Sequence, residues 1–241
     1  KNDNLTKTNV DLNKQLEELT KTDNKPAINW TKNKLITFCK NNNISGYSNC
    51  NKTKLLELIY SKQHNFINNV SPLRYPGGKT KACNKLYEIL TTYFDLSKFT
   101  TIISPFFGGG SFEFHLQNNF PNLHIIANDK FTPLYNFWKT CKDNNNKLCK
   151  ELYPYINTIT KNKFQDLRNK ILTETDPLKQ SIMFFIINRC SFSGATLSGG
   201  FSLESSTKRF TTTSIERISK LHLDRLTITN MDFEDFLQNK N

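Results

Sequence analysis

Apolar and polar positions change rhythm along the chain. From Lys1 to Pro26 the residues are polar and charged, with only a weak helical spacing at Leu12, Leu16 and Leu19. A flexible arm (1–26) with one marginal helix is expected there. Over 29–62 the rhythm is helical. Thr31 is placed to cap a helix carrying Leu35, Phe38 and Cys39 on one face. Ile44, Gly46 and Tyr47 make a bend, and Lys52 to Tyr60 gives a second helix with Leu55, Leu56 and Ile59 inward. Ser61 to Val70 reads as a linker.

From Ser71 onward the pattern becomes alternating strands and helices. Thr101 to Ser104, Leu123 to Ala127 and Arg225 to Asn230 predict strands. Lys81 to Leu90, Ser111 to Gln117, Thr132 to Cys141, Gln180 to Asn188 and Ser214 to Leu221 predict helices, and Asp176-Pro177-Leu178 is a helix-start signal. Strands alternating with helices imply a doubly wound α/β sheet. No apolar run approaches the ~20 residues that cross a bilayer. No signal-peptide pattern opens the chain. A soluble, intracellular protein with no membrane partner is expected, in the cytoplasm or wherever its target resides.

Composition adds charge. Lys+Arg is 33 against Asp+Glu 21, a formal net charge of +12. A polyanion partner, most simply nucleic acid, accounts for this; so, in part, does a Lys- and Asn-rich composition reflecting A/T-rich coding. The six cysteines show no Cys-x-x-Cys pair and no clustered His, so reduced structural thiols and no metal site are expected. The two helices of 29–62, with Lys32, Lys34, Lys40, Lys52 and Lys54, resemble a SAP-type DNA-binding module. The segment between Ile44 and Lys52 is longer than the usual SAP bend, and a generic helical hairpin with a basic face fits equally.

Glycine-rich turns carry the chemistry. Leu73-Arg74-Tyr75-Pro76-Gly77-Gly78-Lys79 ends like a nucleotide phosphate loop, but Leu73 stands where that loop needs its first glycine. What remains is a turn that lets backbone approach a ligand and presents Lys79 to a carboxylate at a helix start. Ser104-Pro105-Phe106-Phe107-Gly108-Gly109-Gly110-Ser111 lies between a strand and a helix, where glycines permit positive φ and close approach. Asp129 follows Gly108 by 21 positions, at the end of the next strand. An acid there is placed for ribose hydroxyls, which suggests an adenosine-containing ligand.

These elements, in this order, resemble the Dam-type DNA N6-adenine methyltransferases. That family shows Trp/Tyr-x-Gly-Gly-Lys, then Pro-Phe-x-Gly-x-Gly-Ser, then Asn-Asp. Asn188-Arg189 with Phe192-Ser193-Gly194 resembles its Asn-Arg-x-x-Phe-Asn-Gly stretch, and Met231-Asp232-Phe233 its acidic-aromatic pair. The likeness covers about Ser71 to Leu237. It implies a Rossmann-like S-adenosylmethionine-dependent methyltransferase domain over 71–241, with a recognition segment at about 188–213. It further implies S-adenosyl-L-methionine as cofactor and double-stranded DNA as partner. By the same resemblance Tyr75, Lys79, Phe106, Gly108 and Gly110 meet the methionine end of the cofactor and Asp129 the ribose. Asp232 and Phe233 meet the adenine, although a turn or helix cap fits Asp232, and core packing fits Phe233, on their own. Lys52, Lys54, Asn188, Arg189, Lys208 and Arg209 are the candidate DNA-binding residues.

The chain departs from the family in several places. Ser104 stands where the family usually has Glu, which weakens an expected support of the cofactor amino group. Ser193 replaces the usual Asn. The segment Cys190 to Arg209 lacks the arginine-rich recognition wording, so no target site follows; Ser198 to Phe201 and Lys208-Arg209 read as a DNA-facing loop. The catalytic Asp/Asn-Pro-Pro-Tyr/Phe motif is nowhere in the 241 residues, so no catalytic residue is named. The sheet is then expected to be incomplete, with an apolar edge at Thr101 to Ser104. A chain inactive alone, fragment of a longer enzyme or half of a split one with a complementary chain, is one expectation. A non-catalytic DNA-binding protein retaining the fold is the alternative. A kinase-like nucleotide enzyme is disfavoured by Leu73.

Overall fold

The structure, a computed structural model, describes residues 30–41, 46–63, 68–75 and 77–238. The arm expected over 1–26, Ile44 of the bend and part of the expected linker lie outside them. Contacts divide the chain into two units, Lys1–Phe66 and Ile67–Asn241.

In the first unit, α1 (Lys32–Asn41) and α2 (Lys52–Gln63) pack against each other. Thr31 caps α1, its Oγ1 accepting from Lys34 N at 3.3 Å, and Asn51 Oδ1 accepts from Lys54 N at 2.9 Å to start α2. Leu35, Cys39, Leu55, Leu56 and Ile59 form a small core. Trp30 packs edge-on to Phe38 at 5.8 Å, and Lys34 Nζ lies 4.1 Å from the Trp30 ring centroid. Lys52 and Lys54 are exposed.

The second unit begins with α3 (Cys83–Tyr93). It continues through β1 (Thr101–Ser104), α4 (Ser111–Asn119), β2 (His124–Asn128), α5 (Thr132–Asp143) and α6 (Asn145–Leu152). Then come α7 (Lys161–Lys170), α8 (Pro177–Cys190), α9 (Leu203–Lys208), α10 (Thr212–Ser219), β3 (Leu226–Thr229) and α11 (Phe233–Gln238). Helix α3 starts two residues later than its pattern suggests, at Cys83, so Lys79 sits a turn before the helix rather than at its start. The short helices α6, α7 and α9 fall where the sequence pattern carried no prediction; α9 occupies part of the expected DNA-facing loop. Asp176 does start α8, accepting from Leu178 N at 2.8 Å and Lys179 N at 3.2 Å.

The strands pair in the order β1-β2-β3, all parallel, with Ile103 opposite Ile126 and Ile126 opposite Thr227. Among the described residues β1 pairs on one side only, and Ile103 keeps 44% of its surface exposed. The densest packing is between α5 and α8. Helix α8 is apolar nearly all round because it is buried nearly all round. Phe137 of α5 stacks on Phe185 of α8 with centroids 5.6 Å apart and planes 2° apart. Trp138 packs edge-on to Phe107, Phe114 and Phe137. All six cysteines are free and buried. Burial pushes the thiols of Cys149 and Cys190 up to about 11 and about 12, which leaves them protonated and unreactive at neutral pH. No described helix is long and apolar enough to cross a membrane.

Asn69 ties the start of this unit to its far end. Its amide donates to His222 O and accepts from His222 N, both at 2.8 Å, and donates to Gln117 Oε1 at 3.0 Å. Asn69→Ala removes all three bonds and strands the buried Gln117 amide, at a cost of about 1–3 kcal/mol. The unfolding free energy from urea titration should therefore fall by about that much, as a lower midpoint at unchanged denaturant slope; an unaltered midpoint would show the clamp to be energetically idle.

Candidate cofactor and DNA site

The functional residues gather where the parallel strands end. The turn between β1 and α4 is held tightly enough to be shaped by its glycines. Gly108 (φ +54°) and Gly110 (φ +66°) take left-handed backbone. A Cβ at Gly110 would lie 2.6 Å from Phe107 Cζ, and one at Gly108 would lie 3.0 Å from Tyr75 Cε1. Tyr75 therefore lies close against the turn, where a side chain at Gly108 would push its ring. Gly108 O accepts from Trp138 Nε1 at 2.9 Å, and Phe107 N donates to Asn128 O at 2.9 Å.

A cavity of about 480 Å³ opens over this turn, lined among others by Tyr75, Lys79, Phe106, Gly108, Gly110 and Glu113. The first five are the residues assigned to the methionine end of the cofactor, and one cavity brings them together. Lys79 Nζ rests on Gly77 O at 2.9 Å. Burial, and next the nearby Asp129 charge, push the Tyr75 phenol above its ordinary value.

Asp129, Asp232 and Phe233 are not among the cavity's lining residues; Asp129 and Phe233 each touch one that is, Gly108 and Phe106, while Asp232 does not. Asp129 Oδ2 accepts from Gly108 N at 2.9 Å and Oδ1 from Phe131 N at 3.0 Å. It is thus first a clamp on the glycine turn; a carboxylate has about four acceptor sites, so both oxygens keep capacity for a ligand. Phe233 lies 5.3 Å from the cavity residue Phe106, ring to ring, and both are exposed. Asp232 is held by Lys130 Nζ at 2.7 Å, and that hydrogen bond lowers its carboxyl below the ordinary range.

Two contributors were missed from the sequence. Glu113 reaches from the first turn of α4 to accept from Ser104 Oγ at 2.6 Å. Burial raises its carboxyl above the ordinary value, against the lowering effect of Ser104 and of backbone N–H groups at Glu113 and Phe112. Spacing gave no signal, because Glu at this position of a helix reads as an ordinary N-terminal acid. Asn128, buried to 1% exposure, bonds both backbone groups of Met231, accepting at 2.9 Å and donating at 3.0 Å, and donates to Pro105 O at 3.3 Å.

The family model described as D12 class N6 adenine-specific DNA methyltransferase matches residues 75–241. The chain belongs to that family. No curated protein matches it.

The remaining family motifs in this D12-class chain act first on its own backbone. Asn188 is fully buried; it accepts from Arg74 N at 3.0 Å and donates to Arg74 O at 2.7 Å. Gly194 (φ +73°) leaves room for this, since a Cβ there would sit 2.5 Å from Arg74 O. Ser193 carries φ +53°, a left-handed conformation that asparagine tolerates better, in keeping with the asparagine the family usually has there. Arg189, 7% exposed, donates to Arg209 O at 2.6 Å and Pro72 O at 3.2 Å. Lys208 is exposed and pairs with Glu204 at 3.3 Å, while Arg209 is exposed with no carboxylate partner among the described residues.

Gly110→Ala should be poorly tolerated. The left-handed backbone and the Phe107 ring together cost on the order of 1–3 kcal/mol, read as a lower melting temperature. A variant as stable as the parent would mean that the turn relaxes freely.

Proposed function

We propose that the chain binds S-adenosyl-L-methionine over its glycine turn and serves methylation of adenine N6 in double-stranded DNA. The observation that carries this is one cavity lined by a lysine, a partly buried carboxylate, aromatic rings and glycines, of which Gly78 and Gly110 have no room for a Cβ. An α-amino acid end needs a cation for its carboxylate and an anion for its ammonium, and Lys79 and Glu113 supply that pair. Ser104 cannot serve as the acid the family usually carries there; its hydroxyl instead braces Glu113. The exposed Phe233 ring suits a purine, Asp232 its exocyclic amine, and the free acceptor sites of Asp129 the ribose. The parallel sheet with helices following each strand agrees with a Rossmann-like arrangement, whose ligands sit at the strand ends.

The bound cofactor would supply an electrophilic methyl on a sulfonium. The chain's own part is to bind it, to orient it and to exclude water. The acceptor groups that free the N6 lone pair belong to the Asp-Pro-Pro-Tyr motif, which these residues lack. Methyl transfer then requires that motif from a further segment or a complementary chain, and the outer edge of β1, unpaired among the described residues, fits such an addition. The missing motif also supports a second reading, a DNA-binding protein that keeps the fold without catalysis.

Calorimetry on the 241-residue chain with S-adenosylhomocysteine should show binding, while labelled cofactor and adenine-containing duplex should give no methyl incorporation. No binding would sink the cofactor assignment, and clear incorporation would sink the expected inactivity. Glu113→Gln should weaken S-adenosylhomocysteine by roughly ten- to a hundredfold, the loss of a charge-assisted bond of about 1.5–3 kcal/mol. It should leave 5′-methylthioadenosine, which has no amino-acid end, unaffected. Equal losses for both ligands would remove Glu113 from the ammonium site.

A further inference from the structure

The Lys130–Asp232 ion pair stands apart from the chain's other salt bridges. Every other one among the described residues joins positions three or four apart in sequence. This one joins the segments that follow β2 and β3, 102 positions apart, and at 2.7 Å it is the shortest of them. The two segments do not need it to stay together. Asn128 already bonds both backbone groups of Met231, Asn230 Nδ2 donates to Asp129 O at 2.8 Å, and Thr132 Oγ1 donates to Asn230 Oδ1 at 3.1 Å. Over 129–132 and 230–235 Lys130 is the only cation, beside four acids: Asp129, Asp232, Glu234 and Asp235. Of these it bonds Asp232, at Oδ2, while Glu234 N donates to Asp232 Oδ1 at 3.0 Å. Both carboxylate oxygens are thus held, and about two of the four acceptor sites stay open.

We infer that Lys130 is a positioning residue that makes the site selective for a 6-aminopurine, by locking Asp232 as an ionised acceptor for the exocyclic amine. This deepens the cofactor reading and rests on its pairing of Asp232 with that amine. A charged acceptor forms a bond roughly twice as strong as a neutral one, so Asp232 discriminates well only while it is ionised and correctly turned. Lys130 serves both needs. Its hydrogen bond, and next the Glu234 N–H, lower the Asp232 carboxyl below the ordinary range, so the charge persists into more acid solution. The Asp232 side chain is 35% exposed, and without an anchor on Oδ2 it is free to turn toward water. Lys130 itself is exposed and the loop is held by the asparagines, so its work is on the carboxylate and not on the fold.

The test uses the full chain and two ligands without an amino-acid end, so that Lys79 and Glu113 are not read: 5′-methylthioadenosine and its analogue lacking the 6-amino group. Calorimetry at neutral pH should show the parent preferring the amine-bearing ligand roughly tenfold, the weaker end of a hydrogen bond to a charged group. Lys130→Met should lose most of that preference, and Lys130→Arg, which keeps donor and charge, should retain it. Stability should move little in either, since an exposed ion pair contributes little. What preference remains in Lys130→Met should fade as pH falls through the ordinary carboxylate range, about 4, while the parent's persists to lower pH. Taking variant and parent at the same pH cancels the ligand's own titration. Lys130→Met with the parental preference and pH profile overturns the inference and leaves the cofactor reading standing. Equal losses in Lys130→Met and Lys130→Arg overturn it too. A parent that binds both ligands equally removes the amine from Asp232 and overturns it, although S-adenosylhomocysteine binding would still uphold the cofactor. A parent that binds no S-adenosylhomocysteine overturns both.

Discussion

The second unit depends on buried asparagines used as two-point clamps. Asn69, Asn128 and Asn188 are each at most 2% exposed. Each amide bonds both the N–H and the C=O of one residue on a distant segment: His222, Met231 and Arg74 respectively. A carboxamide matches a peptide group donor for acceptor, so each clamp acts as one rung of a sheet without a strand. Aspartate or leucine could not replace it without leaving buried groups unpaired. An Asn-rich composition that could be put down to coding bias thus includes residues the fold requires.

Two of these clamps set the cofactor end. Asn128 fixes Pro105 and Met231 on either side of the β2 terminus, and the adjacent Asp129 holds the Gly108 N–H. Asn188, with Gly194 giving room, holds Arg74 and so places Tyr75 over the glycine turn. Asn188 and Arg189 of the Asn-Arg pair thus bond backbone of the segment that carries Tyr75, at Arg74 and Pro72.

Charge is also sorted between two cavities. The one over the glycine turn holds Lys79 together with Glu113, a balanced pair suited to a zwitterion. A larger one, of about 810 Å³, is lined by Arg74, Lys81, Arg189, Arg209 and Arg217 without a carboxylate, suited to a polyanion.

Much of the architecture was legible because it rests on local rules. Strand and helix periodicity located β1, β2 and β3 and most of the long helices, and glycine spacing located the turn at 108–110, since only glycine suits its backbone and its neighbours. Motif order sufficed for the family, as the match over 75–241 bears out. Helices α6, α7 and α9 were not legible, being short and held by packing rather than by pattern. Nor was Glu113, whose approach to Ser104 depends on how α4 leaves the turn. The arginines of the larger cavity lie up to 143 positions apart in sequence, and Asn188 meets Arg74 across 114. Spacing reports which residues share a helix or a strand. Which distant side chains share a cavity is decided only when the elements pack.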